Sequence, residues 1–128
     1  MNFTPDERQL IIEAATRTGY QGPHSPFKLV REWERFVRSL TNGYEFSIYD
    51  YDNDLSMRTT LAQIGSTLPQ PLEAKLNEAL SESDALFFKQ TREVRRHPAI
   101  DSEAHLYPWL VRVPNTNCSQ LMADLNLP

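Results

Sequence analysis

Cysteine is nearly missing from this chain: Cys118 is the only one in 128 residues. A lone thiol closes no internal disulfide, which excludes a disulfide-stapled scaffold and makes a reducing compartment the simplest home. Long apolar runs are missing too, and nothing approaches the ~20 residues that a membrane-spanning helix needs. The leading residues MNFTPDERQ carry neither a basic n-region nor an apolar h-region, so no signal peptide is expected. These absences lead to the expectation of a cytoplasmic protein without a membrane partner. No HExxH, CxxC, phosphate-binding P-loop or GxGxxG pattern occurs, so metal and nucleotide sites of the common kinds have no support and no cofactor is expected. Basic charge is in deficit as well, with 13 Lys and Arg against 17 Asp and Glu and a net charge of -4. That deficit argues against a dedicated nucleic-acid binder and suits a positively charged protein partner.

What is present is the material of a folded protein. Hydrophobic residues make up 40% and aromatic residues 10% of the chain. A chain of this length buries roughly two thirds of its unfolded surface and needs no metal to fold, so residues 1–128 are read as one domain.

The spacing predicts a mainly all-α fold: a four-helix core, a C-terminal extended arm and a short terminal helix. Thr4-Pro5-Asp6-Glu7 combines a capping threonine, a proline at the first helical position and a glutamate three residues after the cap. Leu10, Ile11, Ala14 and Ala15 continue that helix to Gly19, and Phe3 is placed to staple onto its first turn. Ser25-Pro26 opens a second helix to about Asn42, with an apolar stripe of Leu29, Trp33, Phe36 and Leu40 flanked by Val30 and Val37. A third helix is expected from about Leu55 to Leu68, capped by Asp54, with Met57, Leu61, Ile64 and Leu68 on one face and Gly65 weakening it. A fourth is expected from about Pro71 to Arg95, acidic at its start and basic at its end, the order that the helix dipole favours. Beyond it, Trp109, Val111 and Val113 alternate between Pro108 and Pro114 as an extended arm or edge strand. Asn115 or Asn117 is placed to cap a last helix carrying Leu121, Met122 and Leu125.

The segment Tyr44–Asp54, YEFSIYDYDND, is the most distinctive stretch. It holds three tyrosines and four acids, in a region with no Lys or Arg between Arg38 and Arg58. Tyr44, Phe46 and Ile48 alternate like a short strand, and a helical turn is the other reading. Asp50, Asp52 and Asp54 open like a calcium loop, but the glycine position holds Leu55 and the bidentate glutamate position holds Leu61, so no metal site is expected. Two readings stay open. The acids cap the third helix and sit in water, or Tyr44, Glu45, Tyr49, Asp50, Tyr51, Asp52 and Asp54 form a recognition patch of amphipathic anchors beside negative charge.

Arg31, Arg35 and Arg38 share a face of the second helix, and Lys89, Arg92, Arg95 and Arg96 cluster near the end of the fourth. Interspersed Glu32, Glu34 and Glu93, with Glu34 four residues before Arg38, favour a solvated, paired face over a nucleic-acid patch. A nucleophile needs a base oriented by a third group. His105, Cys118 and Asp101 are the only set to try, and no nucleophile motif surrounds Cys118, so no catalytic residue is assigned and the chain is not read as an enzyme. Trp33 belongs to the core; Trp109 either locks the arm onto the helices or stands exposed as an anchor.

Gly43-Tyr44, Tyr51, Asn53-Asp54-Leu55, Arg58 and Leu61, followed by Leu68-Pro69, Leu72 and Leu76, resemble a pattern in small bacterial proteins. Some of these are similar to immunity proteins of toxin systems, including contact-dependent growth inhibition. The resemblance spans residues 27–90 and transfers no functional residue. It implies a cytoplasmic protein that binds a basic, nuclease-like toxin domain and excludes its substrate by occlusion. An interface of that kind buries on the order of 1,600 Å². The alternative is a nucleic-acid-associated regulator using the basic helix faces.

Overall fold

The computed structural model describes residues 2–127, and helices dominate it. Helix α1 covers Pro5–Arg17, α2 Pro26–Ser39, α3 Ile48–Ser66 and α4 Gln70–Gln90. The chain then forms strand β1 (Thr91–Glu93), a short helix α5 (Pro98–Asp101), a 3-10 turn at Pro108–Val111, strand β2 (Arg112–Pro114) and a terminal helix α6 (Ser119–Asp124). None of these helices is long and apolar enough to cross a membrane.

Local chemistry accounts for the helix starts. The Thr4 side chain accepts from the Glu7 amide while the Glu7 carboxylate accepts from the Thr4 amide, closing the capping box with Pro5 at the first turn. Ser25 caps α2 by accepting from the Lys28 amide. Gly19 and Gly43 follow α1 and α2 in the left-handed region, at φ 81° and 95°. A Cβ at position 43 would also run into Asn117, so this glycine is required twice over. Phe3 packs on Phe27 of α2, with ring centroids 5.9 Å apart.

The expected stripes meet in one core, except that Leu10 of α1 is 40% exposed. Trp33, Leu55, Leu61, Ile64, Leu76, Leu80, Phe87 and Leu121 are all buried in it, together with Ile11 and Ala14 of α1. A polar cluster crosses this core. Arg58 of α3 is buried, and its Nε and Nη2 donate to the Asp84 carboxylate of α4 at 3.0 and 2.8 Å. Trp33 Nε1 donates to the same carboxylate at 2.9 Å. The Arg58 guanidinium also lies 4.7 Å from the Trp109 ring centroid, and Trp109 Nε1 donates to Thr59 Oγ1 at 2.9 Å. Trp109 therefore locks the C-terminal arm onto the helices.

Several boundaries depart from the sequence expectation. Helix α2 ends at Ser39, and Leu40–Asn42 continue as a 3-10 turn. Helix α3 starts at Ile48, because Ser47 and Asp50 form a second capping box there; Asp54 lies inside the helix and does not cap it. The alternation of Tyr44, Phe46 and Ile48 makes no strand for the same reason. Helix α4 ends at Gln90, where Thr91 turns extended (φ -128°, ψ 165°) and β1 pairs antiparallel with β2, Arg92 opposite Val113. Tertiary pairing thus overrides a helical period that continued to Arg95. The arm itself is a 3-10 turn before it becomes a strand, and α6 begins after Cys118 with no side-chain cap from Asn115 or Asn117.

Candidate functional site

The Tyr44–Asp54 segment runs from the exit of α2 into the first two turns of α3, and the helical phase divides its residues. With the helix starting at Ile48, Tyr51, Leu55 and Arg58 fall on the inner face, where all three are buried. Tyr51 is 1% exposed, and its hydroxyl donates to the Arg112 carbonyl at 2.7 Å. Tyr44 is buried as well, edge-on to Tyr51 and Phe36, with its amide donating to the Asn117 carbonyl at 2.8 Å. Both tyrosines, expected as contact anchors, are core residues, and burial pushes both phenols well above their ordinary range.

Two of the four acids are also engaged internally. Asp52 binds the Arg96 guanidinium through both oxygens at 2.7 and 2.9 Å, and Arg96 Nη1 also donates to the Leu110 carbonyl at 3.1 Å. That clasp ties the segment after β1 to α3. Asp54 is half-buried and accepts the Tyr44 hydroxyl on Oδ2 at 2.7 Å. Burial raises the Asp54 carboxyl above its usual range, and the Tyr44 hydrogen bond opposes the shift in part.

Glu45, Tyr49 and Asp50 remain at the surface, and Phe46 joins them. Tyr49 is 85% and Phe46 65% exposed, although both are large and aromatic. Asp50 is fixed in place by its capping role, with Ser47 Oγ donating to it at 2.9 Å. The backbone amide of Ile48 donates to Asp124 Oδ2 at 2.9 Å, so α6 also braces this edge. Phe46 was missed because its alternation with Tyr44 suggested a strand. The signal that locates it is Ser47-x-x-Asp50, which places Phe46 outside the helix and Tyr49 off its buried stripe.

Beside this edge a groove of about 890 Å³ runs between the α1–α2 connector, α2 and α3. Leu29, Phe36, Glu45, Phe46 and Met57 line it, as does Asp54, which accepts the Tyr44 hydroxyl.

The other candidates are dispersed. Arg31, Arg35 and Arg38 face outward on α2. Arg35 pairs with Glu32 at 3.2 Å, whereas the anticipated Glu34–Arg38 pair is not formed among the described residues. Lys89, Arg92 and Arg95 are exposed, but Arg96 is held by Asp52. Cys118 is buried with its thiol on the Pro114 carbonyl at 3.4 Å, and burial raises its pKa. His105 is exposed and engages the Ser102 carbonyl, while Asp101 accepts the Arg96 amide, so the three side chains of the trial triad have separate partners. Among the described residues no group of three or more His, Cys, Asp or Glu is placed to hold a metal ion. No family model matches the chain, and no curated protein or solved structure does.

Proposed function

We propose that this chain is an immunity or inhibitor protein that binds a basic, nuclease-like toxin domain in the bacterial cytoplasm and blocks its active site. The supporting observation is the solvent-facing pair Phe46 and Tyr49, set beside the carboxylates of Glu45 and Asp50 on a capped helix start. Exposed large aromatics, Tyr49 on the first turn of α3 and Phe46 just before it, supply contact area, and neighbouring acids steer a cationic partner. The contact set differs from the sequence expectation: Glu45, Phe46, Tyr49 and Asp50 face the partner, and Tyr44, Tyr51 and Asp52 hold them in position.

The test is protection. Cells expressing the toxin encoded beside this gene survive when the chain is co-expressed, and the two proteins co-purify as a 1:1 complex. The double substitution Phe46→Ala with Tyr49→Ala leaves the melting temperature unchanged to within a few degrees, because neither ring is buried. It weakens the complex by ~2 kcal/mol or more per anchor. Survival that depends equally on the wild type and the double variant refutes this edge as the contact.

A second reading, a nucleic-acid-associated regulator, draws on one observation: neither Arg31 nor Arg38 is in an ion pair among the described residues. It requires binding in a gel-shift assay at low salt that falls steeply as salt rises. The loss of Arg96 to Asp52 removes one of its cations.

A further inference from the structure

We infer that the groove beside the Phe46–Tyr49 edge receives one arginine side chain of the protein partner, with Asp54 as its counter-charge. The inference rests on the reading of that edge as the partner-facing surface and adds what the surface grips.

The groove suits a guanidinium in three ways. Its lining includes one Arg and no Lys, and that Arg35 is already bonded to Glu32 at 3.2 Å, so the carboxylates of Glu45 and Asp54 set its sign. Its lining includes the ring of Phe46, 65% exposed, a surface on which a planar cation stacks and a hydrated ammonium fits less well. Asp54 is oriented in advance: Tyr44 holds Oδ2 at 2.7 Å, while Oδ1 accepts no hydrogen bond among the described residues. A carboxylate fixed by one donor loses little freedom when a second arrives. At about 890 Å³ the groove lies in the upper part of the ~300–1,000 Å³ range of ligand pockets, leaving room for the flanking backbone of a partner loop. Because the groove is continuous with the Glu45–Phe46 edge, one docking event would cover both.

The experiment is a titration of the full isotope-labelled chain with N-acetyl-arginine-methylamide, followed by amide shifts, with N-acetyl-norleucine-methylamide as the uncharged control. The expected result is saturable shifts at Glu45, Asn53 and Asp54 with a dissociation constant on the order of a millimolar, at least fivefold weaker for Asp54→Asn. Norleucine gives no saturable shift. Equal response to both probes, shifts that do not saturate, or an unchanged affinity in Asp54→Asn overturns the inference. If Asp54→Asn does not fold by circular dichroism, Glu45→Gln takes its place; affinity at least twofold weaker is expected, and unchanged affinity overturns. The titration needs no toxin. Probe binding without protection in cells sinks the toxin reading and leaves the groove assignment standing, whereas protection without probe binding does the reverse.

Discussion

The hydroxyl of Tyr51 donates to the backbone carbonyl of Arg112 at 2.7 Å, joining the second turn of α3 to strand β2. This bond explains why a tyrosine sits in the core where a phenylalanine would fill nearly the same space. Tyr51→Phe is expected to leave that carbonyl without the phenol and to cost about 1–2 kcal/mol, read as a lower denaturation midpoint at unchanged slope. Partner binding is expected to persist, since the ring lies inside the fold. A stability equal to wild type shows that the bond carries no net weight.

Arg58 and Asp84 pose a sharper test. Arg58 is a buried cation whose neutralising partner is also the acceptor for Trp33 Nε1. Asp84→Ala leaves both donors unmatched and is expected to cost about 3–5 kcal/mol in chemical denaturation, enough to unfold a marginal domain. Arg58→Met combined with Asp84→Ala is expected to cost less than Asp84→Ala alone, because the stranded charge is gone. A larger loss in the double variant contradicts this account.

Gly65 offers a gain. It lies inside α3, and the nearest atoms an added Cβ would meet, on Glu73 and Leu76, are 3.8 Å away, ordinary contact distance. Gly65→Ala is expected to stabilise the protein by about 0.5–1 kcal/mol through reduced freedom of the unfolded chain, visible as a higher melting temperature.

Asp54 predicts a pH dependence of definite sign. Its carboxyl is raised above the ordinary 3.8, chiefly by burial, so the folded state holds this proton more tightly than the unfolded one. The contribution of Asp54 therefore falls as pH rises through the window starting near the ordinary value, and it is unfavourable at neutrality. Glu7 runs the other way. Its hydrogen bond from Lys75 at 2.7 Å leads the causes that lower its pKa, so its contribution is present above the ordinary value and lost as pH falls through the depressed one. Taking the difference between wild type and Asp54→Asn cancels the Glu7 effect. Relative to wild type, the variant is expected to gain stability between pH 3.5 and pH 7 in a series of thermal melts, with roughly 3.5 chosen to sit just below ordinary carboxyl values. A difference independent of pH refutes the raised carboxyl.

Much of the fold can be read from local signals. Thr4-Pro5 and Ser25-Pro26 mark two helix starts, and the stripe from Leu29 to Leu40 is buried as its period requires. The misplaced boundaries have two causes, one local and one tertiary. Ser47 and Asp54 are both acceptable caps, and Ser47 prevails with Asp124 supplying a further acceptor from elsewhere in the chain. Thr91 sits in a sequence that continues the helical period, and only the arrival of Val113 and Pro114 makes it a strand. The site suffered more than the fold. Tyr49 and Tyr51 look equivalent in composition, and moving a helix start by seven residues decides which of them points inward; Tyr44, outside the helix, is buried against Phe36 and Tyr51.

The bond from Ile48 to Asp124 has a consequence for synthesis. The exposed edge is encoded near the middle of the chain but is braced by the carbonyl of Asn117 and the carboxylate of Asp124. Domains emerging from the ribosome fold as their partners become available. The edge is therefore completed only after residue 124 has cleared the exit tunnel, and a nascent or prematurely terminated chain lacks the bracing that presents Phe46 and Tyr49.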